Sequence, residues 1–264
     1  MKGLAANRFA WSSDVNRPDA EKTLENYVRE AAEAGYDAVE CIADGLDALA
    51  KEHGIAVCGG YVGGPLHLPW EELDAEEKLL GPARQLAELG GDYLNVNCDP
   101  KGSWGNRERK TDDELKRQGA NLSRLAAEIG PLGLRLCLHN HANSNPLHLD
   151  DLRSVTEFAD PAVGVCLDTG WALTSEDDPV ARARVLGDRL TALHLRNQRG
   201  ELPVEWLGEG DMDTAAFVNA LKKIGYVGWL TVELWHRADV EVTQSLLEDQ
   251  KRTAALLREL WGEG

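Results

Sequence analysis

Eight alternations of a short apolar strand with a longer helix, within one chain of 264 residues, predict a single (β/α)8 TIM barrel spanning 1–264. Three observations carry this. A helix-like run ending in glycine and passing at once into an apolar strand recurs as AAEAGYDAVECI (31–42), LAELGGDYLNVN (86–97), AAEIGPLGLRLCLHN (126–140) and LKKIGYVGWLTVEL (221–234). The runs after these glycines are rich in Val, Leu and Ile, as in parallel strands buried on both faces. Strand-to-helix connections are long and polar while helix-to-strand connections are short, the asymmetry of a barrel with one working face.

Taken in order, strands are expected near 3–10, 36–42, 55–61, 92–97, 134–140, 163–168, 190–196 and 229–234. Helices are expected near 19–34, 44–53, 71–89, 111–129, 149–158, 178–187, 213–224 and 239–260. A doubly wound open sheet is the rival topology. It usually carries a glycine-rich phosphate turn after its first strand, and the first turn here, FAWSSDVNRPD, has no glycine.

The long loops are YVGGPLHLPW (61–70), NCDPKGSWGNRERKTDD (97–113), HANSNPLH (141–148) and NQRGELPVEWLGEG (197–210). Trp11, Trp70, Trp104, Trp171, Trp206 and Trp235 fall on the same side. Indole faces can stack on the C–H surface of a sugar, or they can pack beneath the loops. Trp11 and Trp104 are the stacking candidates.

Charge and cysteine usage narrow the function. With 45 acids against 28 bases the net charge is −17. That field repels nucleic-acid backbones and anionic membrane surfaces. Arg107, Arg109 and Lys110 read as a solvated loop. Cys41, Cys58, Cys98, Cys137 and Cys166 contain no CxxC and are odd in number, so they read as small core residues in a reducing compartment. MKGLAANRFAW lacks the apolar run of a signal peptide, and no apolar stretch suits a membrane span. The expectation is a cytoplasmic protein. No repeat or heptad pattern decides between a monomer and a homo-oligomer.

The chemistry is expected at the ends of strands five to eight. Strand five ends LCLHNH with His139 and His141, strand six VCLDTG with Asp168, strand seven ALHLRN with His194, and strand eight LTVELW with Glu233. Strand ends converge on the barrel axis, so two carboxylates and one or two imidazoles can meet there on one divalent cation. Mixed nitrogen and oxygen donors suit Mn, Fe, Co or Zn better than Mg or Ca. Such an ion, with open positions for a diol or hydroxy-ketone, is a Lewis acid. Glu40, ending strand two, can bond a sugar hydroxyl or form an ion pair. Arg196, Arg199 and Arg237 can bind an anionic group or pair with surface acids. His53, His67 and His148 read as surface or loop residues.

Several of these pieces resemble the xylose-isomerase-like barrel superfamily, which includes ketose 3-epimerases, inosose dehydratase and type IV apurinic endonucleases. They are GYDAVE, the HN ending strand five, LDTG, HLRN, and LGEGDMDTAAFVNALKKIGYVGWLTVEL. In the last, a GEG-x-x-D turn leads into IGY-x-G-W-x-x-x-E. The resemblance spans essentially the whole chain. It implies that Asp168, His194 and Glu233 are metal ligands. The fourth is usually a glutamate ending strand five; here that position is His139, followed by Asn140, as in relatives whose strand five ends HNH or HHH. His139 is therefore the expected fourth ligand, and His141 a substrate-facing acid or base. Asn140 and Arg196 are expected to contact substrate.

Departures from the family pattern matter. Trp171 stands where DTGH would place a histidine, and Arg196 and Asn197 replace the usual Lys and Asp of strand seven. A second metal site is not expected. Ketose 3-epimerases move protons with two ligand glutamates, and a metal-bound imidazole at 139 is a poor proton acceptor. Proton transfer would then fall to Glu233 with His141 or a bound water. The expected activity is a metal-dependent isomerase or epimerase of a sugar derivative, by proton abstraction next to a carbonyl. The alternative is a lyase dehydrating a keto-inositol or oxo-sugar. A DNA-repair endonuclease is disfavoured by the charge and by Trp171, and a non-catalytic sugar-binding barrel by the intact ligand set.

Overall fold

Local capping chemistry sets where each helix begins. In the computed structural model, which describes residues 1–12, 17–237 and 239–262, Thr23 caps α1 (Leu24–Glu33). Gly45 precedes α2 (Leu46–His53). The third expected helix is broken into a 3-10 turn at Trp70–Glu72, a π turn at Glu76–Leu80 and α3 (Gly81–Glu88). Pro82, at the head of α3, has no N–H to continue the ladder backwards. Thr111 and Glu114 form a reciprocal capping box at the start of α4 (Asp112–Ile129). The remaining helices are α5 (Asn145–Thr156), α6 (Pro179–Leu186) capped by Asp178, α7 (Thr214–Lys223) capped by Asp213, and α8 (Leu246–Trp261) capped by Ser245. α8 starts later than expected because the cap is Ser245, whose hydroxyl accepts from Glu248 N, and not a residue near 239, while Asp19 accepts from Leu246 N.

The strands are β1 (Gly3–Asn7), β2 (Ala38–Glu40), β3 (Ala56–Gly64), β4 (Tyr93–Cys98), β5 (Arg135–His139), β6 (Gly164–Asp168), β7 (Leu190–His194) and β8 (Trp229–Val232). They form one parallel sheet in the order β8-β1-β2-β3-β4-β5-β6-β7. A parallel bridge between Leu195 and Val232 joins its two ends, with Glu233 N donating to Leu195 O at 3.0 Å. The result is the expected (β/α)8 barrel.

Alternation along the strands makes two cores. Leu4, Val39, Leu94, Leu136, Val165 and Leu230 face the helices. Ala5, Ala38, Cys58, Tyr93, Cys137, Cys166 and Ala192 fill the barrel interior. The interior residues are small, so the one large ring, Tyr93, needs space from its neighbour. A Cβ on Gly59 would lie 2.4 Å from that ring, which only glycine avoids. All five cysteines are buried and free. Among the described residues no helix is long and apolar enough to cross a membrane.

Two hairpins not expected from the pattern, Lys101–Ser103 with Asn106–Glu108 and Gln198–Arg199 with Leu202–Pro203, lie in the loops after β4 and β7. Trp11 departs from expectation. It sits on a short helix, Phe9–Ser12, fully buried against Tyr27, with its indole N–H on Glu30 at 2.7 Å. It is a core residue and cannot stack on a ligand. His148 is also a correction: it is fully buried, 2.9 Å from Asp177.

Candidate metal centre

The parallel register brings the strand ends level. Asp168 and His194 are register partners across β6 and β7. Glu233 follows β8 directly and bonds to the backbone beside His194. His139 ends β5. One donor atom from each of His139, Asp168, His194 and Glu233 lies within 4.8 Å of the others.

The chemistry of these donors fits a cation. His139 is buried, and neither ring nitrogen has a hydrogen-bond partner, although Nε2 is 3.4 Å from Asp168 Oδ2. His194 is fully buried, and its Nε2 lies 2.8 Å from Glu40 Oε1. That contact favours a proton on Nε2 and makes Nδ1 the nitrogen that a cation could take. Nδ1 lies 3.3 Å from Glu233 Oε2 without hydrogen-bond alignment. Buried imidazole nitrogens without partners are costly, and a shared cation would satisfy one nitrogen on each ring.

Beneath the donors lies a saturated shell. Glu40 Oε1 accepts from Asn7 Nδ2 at 2.7 Å as well as from His194, and its Oε2 accepts from Tyr93 OH at 2.6 Å and Asn95 Nδ2 at 3.1 Å. Burial by itself would raise the Glu40 pKa, but His194 and these donors hold it below the usual carboxylate range. Burial opposes protonation of His194, but Glu40 and Glu233 raise its pKa well above the ordinary imidazole value. A carboxylate behind a ligating histidine orients the ring and raises its basicity. Of the two expected roles, a sugar contact or an ion pair, Glu40 makes the ion pair with His194; it borders the cavity, but both of its oxygens are bonded to protein.

Asp168 is tied down from three sides. Its Oδ1 accepts from Trp171 N at 2.7 Å as cap of the short helix Thr169–Thr174, and Arg196 Nε reaches both oxygens at 2.8 and 3.0 Å. Burial would raise its pKa, but Arg196, then His139, hold it well below the usual aspartate range. Asn140 exchanges two hydrogen bonds with the Asp168 backbone, at 2.7 and 3.1 Å. Asn140 is therefore committed to Asp168, where substrate contact was expected; Arg196 holds Asp168 through Nε and also borders the cavity above the donors.

Above the donors is a cavity of about 360 Å3, bordered by His139, His141, Tyr61, Trp171, Glu233 and Trp235 among others. Small-molecule sites typically run roughly 300–1,000 Å3. His141 packs against Trp171, ring centroids 4.3 Å apart, and edge-on to Trp104 at 5.2 Å. Burial, then His139, pushes its pKa down to about 3, so it is neutral at any working pH. Trp104 is about half exposed on its hairpin, with the Arg107 guanidinium between it and Trp171.

Sequence reasoning missed Asn7, Tyr61, Tyr93 and Asn95. Asn7 was within reach, because it ends β1 as Glu40 ends β2. Tyr93 was not, because it begins its strand and reaches the shell only by standing upright inside the barrel.

A family model for the xylose isomerase-like TIM barrel matches residues 28–260. The rhizopine catabolism protein MocC of Rhizobium meliloti is 26% identical, over 87% of this chain and 80% of its own. Inosose dehydratase of Geobacillus kaustophilus is 27% identical, over 80% of each. L-ribulose 3-epimerase of Mesorhizobium japonicum is 25% identical, over 100% of this chain and 89% of its own. A solved structure of L-ribulose 3-epimerase shares the fold, with a TM-score of 0.77 at 20% identity, over 100% of this chain and 95% of that one. The chain belongs to the xylose isomerase-like TIM barrel family.

Proposed function

We propose that this protein is a metal-dependent isomerase or epimerase of a sugar derivative, with His139, Asp168, His194 and Glu233 as the ligands of one divalent ion. The observation that carries this is the set of four buried or half-buried donors within 4.8 Å, two of them imidazoles with nitrogens left without partners. Mixed N/O donors favour Mn, Fe, Co or Zn. When bound, the ion would supply Lewis-acid stabilisation of charge on a substrate oxygen.

The chain's residues would do the rest. Glu233 is the one donor with appreciable exposure, its side chain 14% accessible. It borders the cavity and can take a proton from the carbon next to a carbonyl. His141, neutral and walled by Trp104 and Trp171, can hold a substrate hydroxyl; its low basicity makes it a weak acceptor and leaves Glu233 as the base. Trp171, Trp235 and Tyr61 offer apolar faces that exclude water. Glu40 positions His194, while Arg196 and Asn140 position Asp168.

A second reading, dehydration of a keto-inositol or oxo-sugar, has its own support. His139 occupies the place where two-base epimerases carry a second glutamate, and inosose dehydratase is among the relatives. Both readings begin with removal of a proton. Incubating the metal-loaded protein in D2O with ketoses and keto-inositols, and following the carbon-bound protons by NMR, tests this. Deuterium entering a recovered or epimerised ketose supports isomerase chemistry, and loss of water from a keto-inositol supports the lyase. The absence of both exchange and turnover with all four metals would refute the proposal.

A further inference from the structure

Arg8 borders the same cavity as His139 and Glu233, one residue beyond the end of β1. Its backbone turn is pinned by Asn7, whose Oδ1 accepts from Phe9 N at 2.7 Å. Yet its charge goes unanswered. The one polar contact of its side chain among the described residues is Nη1 to Sγ of Cys41 at 3.6 Å, and sulfur is a weak acceptor. Its Nε is buried and has no hydrogen-bond partner among the described residues.

That is unusual in a chain with 45 acids and 28 bases, where carboxylates are plentiful. Arg196, on the same cavity, is neutralised by Asp168. The fully buried Arg17 is held by Asp19 and Asp249. Glu40, a buried acid on the same cavity, has both oxygens committed to His194, Asn7, Tyr93 and Asn95. A guanidinium presents a planar fork of donors that matches an oxyanion bidentately.

We infer that Arg8 is a specificity-determining residue that receives a carboxylate of the substrate, so that the preferred substrate is an acidic sugar derivative and not a neutral one. The charge count favours a carboxylate over a phosphate: one unneutralised guanidinium matches a monoanion, while Glu233 opposes a second negative charge. The inference rests on the proposed reaction only for the sugar part of the ligand.

The test uses fructose, fructuronate and fructose 6-phosphate, which share one carbon chain and differ in the terminal group. Their binding to the metal-loaded protein is read from tryptophan fluorescence, since Trp171 and Trp235 line the cavity, and turnover is read separately. The wild type should favour fructuronate over fructose by about 30-fold, the scale of one charge-assisted hydrogen-bond pair. In Arg8→Met that ratio should fall to about threefold or less, and Arg8→Lys, which keeps the charge but not the fork, should fall between. An unchanged ratio in Arg8→Met, no preference in the wild type, fructose 6-phosphate ahead of fructuronate, or no binding of any of the three would each overturn the inference. Arg8-dependent fructuronate binding without turnover would sink the reaction assignment and leave this inference standing. Turnover of fructose with no preference for the acid would do the reverse.

Discussion

The two mouths of the barrel differ in a way that cavity size does not reveal. The larger hollow, about 520 Å3, lies at the N-terminal mouth among Lys2, Asp92, Arg135, Thr191, Tyr226 and Trp229. The C-terminal cavity is about 360 Å3. At the N-terminal mouth the polar groups answer one another. Trp229 Nε1 donates to Asp92 Oδ2 at 2.6 Å, Lys2 pairs with Asp92 Oδ1 at 2.7 Å, and Tyr226 OH donates to Trp229 O at 2.8 Å. At the C-terminal mouth both nitrogens of His139, Nδ1 of His194 and Nε of Arg8 are buried without partners. Asp249 Oδ1 and Gln250 Nε2 on α8 lack partners as well, so it is the grouping of such atoms on adjacent strand ends, and not their mere presence, that singles out the C-terminal mouth as the candidate site.

Breaking the donor set at its most tightly held member should have the largest effect. Asp168→Asn leaves the buried Arg196 guanidinium with Glu233, 4.0 Å away, in place of a directly bonded carboxylate, and we expect a loss of about 3 kcal/mol in urea unfolding, together with loss of bound metal. A stability change under ~1 kcal/mol would mean that the ion pair is not what anchors this side of the site.

Glu40→Gln comes next. It keeps the shape of the shell but weakens the hold on His194, so metal affinity should fall roughly 10- to 100-fold by competition with a chelating dye. If affinity held and only the sugar KM rose, Glu40 would be a substrate contact after all.

The smallest effect is expected at the other mouth. Asp92→Asn weakens the bonds to Trp229 and Lys2 and should cost about 1 kcal/mol of stability with no change in metal affinity or turnover. A large loss of turnover there would erase the contrast between the two ends.

The barrel was legible in the sequence because glycine seams and all-apolar strands are local signals. The glycines after α1 and α7, Gly35 and Gly225, take φ of 89° and 72°, the left-handed turn that the pattern implied. The grouping of His139, Asp168, His194 and Glu233 was legible as well, because parallel strands align their ends. What was not legible is which polar strand-end residue faces the cavity and which faces its neighbours. Trp11, Glu40 and Asn140 all read as substrate contacts, and each spends its polar atoms on protein: Glu30, His194 and the Asp168 backbone. Such assignments depend on partners 19 to 154 positions away in the chain, which no spacing rule supplies. Arg8 shows the converse: only the packing reveals that no carboxylate among the described residues pairs with it.

Four strand ends are proposed to hold one cation. The most direct measurement is the metal content of protein purified without chelators, by elemental mass spectrometry, for the native chain and Glu233→Ala. We expect about one equivalent of Mn, Fe, Co or Zn in the native chain and a loss of most of it in the variant, with the fold retained by circular dichroism. No metal in the native chain even after reconstitution, or full occupancy without Glu233, would contradict the claim.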